Sequence, residues 1–225
     1  QKQTKTIKPA SRAQIINHRM NYGEVYPYCK VVDEAEIDYV EVDLNFSLDW
    51  KAKGIGGRVR RFLESSKEYE ITPGQTIFSL NNEYFLTHLC IHLYKEAIGK
   101  HWVDLQRDLG LYKFVDIYAF LTDDKLNIDY EKLYRIVDEN ELKKECYYTL
   151  EFARQLFEPL NDHQEFLRFL EAIKPENTDY LDEVTDLENH RVYRWEHEFM
   201  QRMFQLKRAE YLKPASELAV REPSW

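Results

Sequence analysis

Two carboxylates on one predicted strand are the residues whose types and spacing best fit chemistry. Residues 37–46 alternate apolar and polar side chains, which is the pattern of a half-buried β-strand. Side chains two positions apart share a face of a strand, so Glu41 and Asp43 lie side by side. Their charges repel unless solvent, a cation or a divalent metal lies between them. The opposite face carries Val40, Val42, Leu44 and Phe46. The spacing alone favours a solvated outer face, and a chemical role for Glu41 and Asp43 is the competing interpretation.

A second polar pair, His88 and His92, lies on a predicted helix. Their spacing of four residues places both imidazoles on one helix face, as in many zinc sites. However, Leu89 stands where a metalloprotease motif requires glutamate, and Cys90 is rotated away from both rings. Packed histidines at a helix or domain junction are therefore favoured. A ligand cleft and a metal hydrolase remain as alternatives.

Two aspartates, Asp104 and Asp108, repeat this spacing on the next predicted helix. Like charges four residues apart destabilise an isolated helix slightly, so a partner is expected. His88, His92 or an arginine would supply it. For Asp108 we predict a buried polar network that joins two helices.

Composition excludes several classes of protein. The chain has 225 residues, enough for one large domain or two small ones, and its net charge of −9 disfavours generic binding to nucleic acid or anionic membranes. Three widely spaced cysteines argue against a disulfide framework or a Cys-x-x-Cys metal site, and indicate a cytoplasmic protein. No apolar run approaches the roughly 20 residues of a membrane span, and the polar start has no signal-peptide pattern.

The pattern of elements predicts an α+β fold. A small N-terminal antiparallel or mixed sheet, in a β-containing domain of residues 1–75, precedes a C-terminal α-helical bundle domain of residues 76–225. Two strands, 22–32 and 37–46, should pair across a short polar turn, and residues 68–78 should be extended. Gly54 to Gly57 should form a loop that leads into a short basic segment.

From Ser79, a predicted N-cap, the chain has a helical pattern almost to its end. The predicted helices are 79–99, 102–121 with a break at Gly110, 129–137, 139–157, 161–173 and 185–212. The last one carries an apolar stripe of Trp195, Phe199, Met203 and Leu206. We expect this stripe to pack in the core or against a partner, either another protein or a second copy.

Three segments together resemble bacterial nucleotidyltransferases of the polymerase-beta type. They are residues 40–44, residues 80–96 with both histidines, and residues 108–112, and the resemblance covers roughly residues 18–160. It implies a catalytic sheet followed by a helical domain that closes one side of a cleft. In this chemistry carboxylates hold Mg²⁺ on a nucleoside triphosphate, and a nucleotidyl group passes to an acceptor, here unknown. Carried onto this chain, it implies Asp43 and Glu41 as catalytic residues, Asp43 as a metal ligand, and His88, His92 and Asp108 as nucleotide-binding residues.

The chain departs from that family pattern at one point. No Gly-Ser turn followed by Asp-x-Asp precedes residue 37, and Asp43 matches the family's third carboxylate rather than the first pair. Because the chain begins with Gln1 and not Met, we expect the missing pair upstream in a longer protein. The alternative is a catalytically incomplete helical interaction or regulatory module, such as a subunit of a defence or toxin–antitoxin assembly.

Overall fold

The chain divides into two compact units, residues 1–60 and 61–224. The structure, a computed structural model, describes residues 9–17, 24–32, 37–48, 55–186, 189 and 191–215. Small antiparallel sheets and a larger set of helices make up the described chain. The predicted α+β class is therefore confirmed.

The first unit is built around a two-stranded antiparallel ribbon. Helix α1 (Arg12–Asn17) precedes strands β1 (Glu24–Val31) and β2 (Tyr39–Asn45). The predicted antiparallel pair is confirmed, whereas its turn at residues 33–36 lies outside the described residues.

The prediction that β2 is half-buried is wrong for its described side chains. Val40, Val42 and Leu44 are each about half exposed. Among the described residues no second layer covers this face of the ribbon. The alternation that predicted a buried face is therefore present, but its apolar side chains are not buried.

The second unit begins with a helix and a hairpin. Helix α2 (Ile55–Glu64) crosses the boundary between the units, and strands β3 (Ser66–Thr72) and β4 (Gln75–Leu80) pair antiparallel. The predicted extended segment 68–78 is confirmed except at residues 73–74, where the chain turns back on itself. Gly74 adopts a left-handed φ of 78° at this turn, which favours glycine. The predicted loop into a basic segment is wrong from Ile55 onward, because Phe62 anchors α2 with 1% exposure.

Six helices form the main body of this unit. They are α3 (Asn82–Ala97), α4 (Lys100–Asp104), α5 (Leu111–Thr122), α6 (Tyr130–Glu139), α7 (Lys143–Leu156) and α8 (Gln164–Ile173). Helix α3 packs against α5, α6 and α7, and its Leu86 and Ile91 are fully buried. Burial of one such side chain stabilises the fold by about 1.5–3 kcal/mol.

Local signals set where several of these helices begin. Asp129 caps α6 as predicted, because its side chain accepts a hydrogen bond from the Lys132 backbone N at 2.9 Å. Helix α3 is capped by Asn81 instead of Ser79, since Asn81 accepts from the Tyr84 backbone N and Ser79 still belongs to β4. Gly110 stands at the N-cap of α5, and the break predicted there is longer than one residue, because α4 already ends at Asp104.

The predicted helix 185–212 is wrong. Strands β5 (Glu183–Asp186), β6 (Arg191–Trp195) and β7 (Leu212–Pro214) form an antiparallel sheet, and the short helix α9 (Phe199–Phe204) lies between β6 and β7. Aromatic and β-branched residues favour strand in β6. Asn189 turns the chain before it by hydrogen bonding to the Asp186 carboxylate.

The apolar stripe nevertheless packs in the core, as the sequence predicts, except at one end. Trp195, Phe199 and Met203 are at most 7% exposed, whereas Leu206 is 82% exposed. Because the stripe runs from a strand into a short helix, the continuous C-terminal helix expected to bind a partner or a second copy is absent.

Candidate functional site

Strand β2 carries the two predicted catalytic carboxylates at a β-bulge. Val42 pairs with Tyr28 and Leu44 with Val25, so two residues of β1 lie opposite the single residue Asp43. Bulges of this kind redirect side chains and are frequent beside active sites. Glu41 is exposed opposite Cys29, whereas the Asp43 side chain lies outside the described part of the structure.

Helix α3 presents the two predicted histidines on one stripe. The ring centroids of His88 and His92 are 6.2 Å apart, as their spacing predicts. Buried residues such as Leu86 and Cys90 occupy the adjoining face and fix this side of the helix against the core. Within the described chain the buried Nδ1 of His88 has no hydrogen-bond partner, whereas the His92 side chain is 49% exposed.

The stripe continues to a charge pair between α3 and α5. The Nε2 atom of His92 lies 3.6 Å from Oε1 of Glu96, and Oε2 of Glu96 pairs with Nζ of Lys113. The side chains of Glu96 and Lys113 are only 13% and 12% exposed. One carboxylate therefore links a buried cation to a half-exposed imidazole.

Burial and neighbouring cations make both histidines weaker bases. Burial, with the Lys95 charge, lowers the pKa of His88. Burial together with Lys95, Lys113 and His88 lowers the pKa of His92 to about 4, so the ring is neutral at pH 7. Burial also lowers the pKa of Lys113 to about 8, which outweighs the opposing effect expected of the Glu96 carboxylate.

We expect the protein to lose stability on acidification because of His92. The folded pKa of about 4 lies below the ordinary 6.5, so the unfolded chain binds more protons between these values. The free energy of unfolding should therefore fall as the pH drops from 6.5 to 4. Since the ring is half exposed, His92 should contribute only about 1 kcal/mol to this loss.

Urea unfolding of wild type and His92→Gln at pH 7.5 and 4.5 measures this contribution. At pH 7.5 the difference in unfolding free energy between wild type and variant reports packing alone, because His92 is neutral in both the folded and the unfolded state. The variant should lose less stability than wild type between the two pH values. Equal losses would contradict the assignment.

Asp108 lies in a different network from the histidines. Its carboxylate is fully buried, and Oδ1 lies 3.0 Å from Nε of Arg208, which is itself 8% exposed on its side chain. Nη1 of Arg208 also donates to the backbone oxygens of Arg202 and Met203. Burial raises the pKa of Asp108 and the Arg208 cation opposes that rise. The predicted buried network is present, and its partner is an arginine, as one of the expected alternatives. It does not join two helices, because Asp108 lies between α4 and α5 and Arg208 lies in a short 3₁₀ turn, Arg208–Tyr211.

A cleft of 340 Å³ opens elsewhere in the second unit, at the beginnings of α6 and α8. Tyr130 and His163 line it, with the Tyr130 hydroxyl 3.4 Å from His163 Nε2, and Asp123, Asp124 and Glu165 contribute carboxylates. Its lining includes none of the residues predicted from the sequence to bind nucleotide.

The described residues contain neither a cluster of metal-ligating side chains nor a membrane-spanning helix. No group of three or more metal-ligating side chains is close enough together in the described segments to hold a metal ion. None of the helices in those segments is long and apolar enough to cross a bilayer. None of the three cysteines forms a disulfide bond.

His88, His92 and Glu96 of α3 and Lys113 of α5 form one cluster, and the last two were not predicted from the sequence. Glu96 extends the four-residue spacing of His88 and His92 by another turn, so the same periodicity could have identified it. Lys113 has no such signal, because only the packing of α5 against α3 brings it to Glu96.

Comparison with known proteins identifies one family. The model of a family described as uncharacterised nucleotidyltransferase matches residues 12–158, which include β2, both histidines and Asp108. No curated protein and no solved structure matches the chain.

Proposed function

The chain belongs to the uncharacterised nucleotidyltransferase family, and on this basis we propose that it binds a nucleoside triphosphate with Mg²⁺ and transfers a nucleotidyl group. The family match is the observation that carries the proposal. The acceptor is a molecule with a free hydroxyl, whose oxygen forms a bond to the α-phosphorus while the bond to the β-phosphate breaks and pyrophosphate leaves. We place the family among bacterial polymerase-beta-type nucleotidyltransferases and the protein in the cytoplasm.

Each of the two carboxylates on β2 has a separate role. Asp43 is a metal ligand or helps to activate the acceptor hydroxyl, and Glu41 is a neighbouring ligand or orients Asp43. The bulge supports this assignment, because its extra residue lies in β1 directly opposite Asp43.

The helical residues have supporting roles in the proposal. His88 and His92 line the nucleotide site, and the neutral, half-exposed ring of His92 is suited to hydrogen bonding with a ligand. Asp108 braces the fold through Arg208 and does not contact the nucleotide itself, in agreement with its complete burial. This revises the nucleotide-binding role that the family resemblance implies for Asp108.

The donor chemistry of β2 fits Mg²⁺. Magnesium prefers carboxylate oxygens and usually binds through one or two of them, with substrate phosphates completing its coordination. Glu41 and Asp43 are carboxylates two positions apart on an accessible strand. When bound, the ion would supply charge neutralisation for the triphosphate.

Calorimetric titration of the whole chain with ATP tests the binding step. We expect heat of binding in the presence of Mg²⁺ and at least tenfold weaker binding in EDTA, because the carboxylates repel an uncompensated triphosphate. Absence of heat with ATP, GTP, CTP and UTP in Mg²⁺ would refute nucleotide binding and favour the non-enzymatic interaction module.

A further inference from the structure

Glu96 of helix α3 pairs with Lys113 of helix α5 and also lies beside the half-exposed ring of His92. We propose that Glu96 and Lys113 are positioning residues for His92, which through them accepts a hydrogen bond from an N–H or O–H group of the nucleotide. The nucleotide part of this inference rests on the proposed function. The arrangement of the three side chains does not.

The exposed fraction of the side chain is small for Lys113 and Glu96 and much larger for His92. Lys113 and Glu96 are almost enclosed, while half of the His92 side chain is open to solvent. A buried ion pair contributes little net stability compared with apolar residues of the same size, so stability alone is a weak reason for it. An ion pair whose carboxylate also contacts an accessible imidazole instead holds that ring in one orientation.

The contact with Glu96 also selects the tautomer of His92. Oε1 of Glu96 lies 3.6 Å from Nε2, beyond hydrogen-bond length, so the carboxylate acts through its charge, which favours a proton on the nearer nitrogen, Nε2. Nδ1 of the neutral ring is then the acceptor. A donor group of the nucleotide, either the ribose 2′-hydroxyl or the amine of the base, matches Nδ1.

The charges around His92 are set by both helices. His88, Lys95 and Glu96 lie on α3, and Lys113 faces the ring from α5. Loss of Lys113 removes a cation and also leaves Glu96 without its partner, and both changes make His92 easier to protonate. Loss of the Glu96 charge has the opposite effect, because Lys113 then acts on the ring unopposed.

Side-chain NMR of His92 tests the positioning without any nucleotide. In wild type at pH 7 the ¹⁵N shifts should show the Nε2–H tautomer. Lys113→Met should raise the pKa of His92 by about one unit, and Lys113→Arg should restore it. Glu96→Leu should lower the Nε2–H population of the neutral ring to that of free histidine, which itself favours this tautomer. A merely structural pair would give neither this change nor a charge-dependent pKa shift that arginine rescues.

A matched control comes from the same helix. Glu83 on α3 also pairs a mostly buried carboxylate with a lysine, Lys132 on α6, at 2.6 Å. Lys132→Met should leave the His92 pKa and tautomer unchanged. If Lys132→Met and Lys113→Met shift the ring equally, or if wild type has the proton on Nδ1, the positioning role is overturned.

Calorimetry with ATP, 2′-deoxyATP and ITP in Mg²⁺ tests the ligand contact. Lys113→Met should weaken ATP binding about tenfold, the order expected for loss of one hydrogen bond, and Lys132→Met should not. His92→Phe should abolish discrimination against 2′-deoxyATP if the hydroxyl is the donor, or against ITP if the amine is. Unchanged ATP affinity in Lys113→Met and His92→Phe would overturn the nucleotide contact. If wild type binds no nucleotide, the proposed function fails, whereas the NMR result still decides whether Glu96 and Lys113 position His92.

Discussion

Replacement of Asp108 by alanine is expected to destabilise the second unit by about 3–5 kcal/mol. The substitution removes the carboxylate and leaves the Arg208 guanidinium as a buried charge without its anionic partner. Arg208 also holds the backbone of Arg202 and Met203, so its displacement should loosen α9. Urea unfolding followed by circular dichroism would measure the loss.

Two variants show whether the isolated charge is the cause. Asp104→Ala removes a carboxylate four residues away that is paired on the surface with Lys100, and should cost less than about 1 kcal/mol. The double variant Asp108→Leu/Arg208→Met removes both buried charges and should recover most of the stability lost in Asp108→Ala. A double variant less stable than Asp108→Ala would show that the pair itself stabilises the fold.

Replacement of Asp43 by asparagine is expected to weaken Mg²⁺-dependent ATP binding about 100-fold, or about 2.7 kcal/mol. As the proposed metal ligand, Asp43 loses its charge in this variant and keeps its size. Glu41→Gln should weaken binding less than about tenfold, since Glu41 is proposed to assist. The readout is the dissociation constant from calorimetry at saturating Mg²⁺.

Asn45 provides a matched control for the Asp43 experiment. It lies two positions further along β2, so Asn45→Ala perturbs the same strand without removing a charge. ATP affinity should remain within about twofold of wild type. A larger effect of Glu41→Gln than of Asp43→Asn would reverse the two assignments. Equal effects of all three variants would point to disruption of the ribbon.

Periodicity and capping predicted the parts of the fold that depend on neighbours in sequence. The β1–β2 pair, the extended backbone on either side of the turn at residues 73–74, and the Asp129 cap of α6 each follow from a few adjacent side chains. The helical pattern gave a wrong prediction for residues 185–212, where apolar residues have helical spacing although part of the segment is a strand. Trp195, Phe199 and Met203 have helical spacing, yet the first lies in a strand and the others in a short helix, because each fills the core from its own element.

For the candidate site, too, the sequence predicted the local features and not the contacts between distant residues. The spacing of His88 and His92 placed them side by side, and the family resemblance to nucleotidyltransferases, drawn from ordered short motifs, agrees with the family match. The partner of Asp108 was not predictable, since Arg208 lies 100 residues away in sequence. Lys113 was missed for the same reason, as its only link to Glu96 is the packing of α5 on α3.

The sequence by itself determined the fold class, the strand that carries Glu41 and Asp43, and the helix face that carries the two histidines. These features depend on periods of two and 3.6 residues and on short motifs, all of which are local in the chain. Only the tertiary structure decided which charges meet: Arg208 with Asp108, and Lys113 with Glu96 beside His92. Burial makes such pairs specific, because an unpaired charge in the interior is far more costly than one in water, and burial arises only when distant segments pack together.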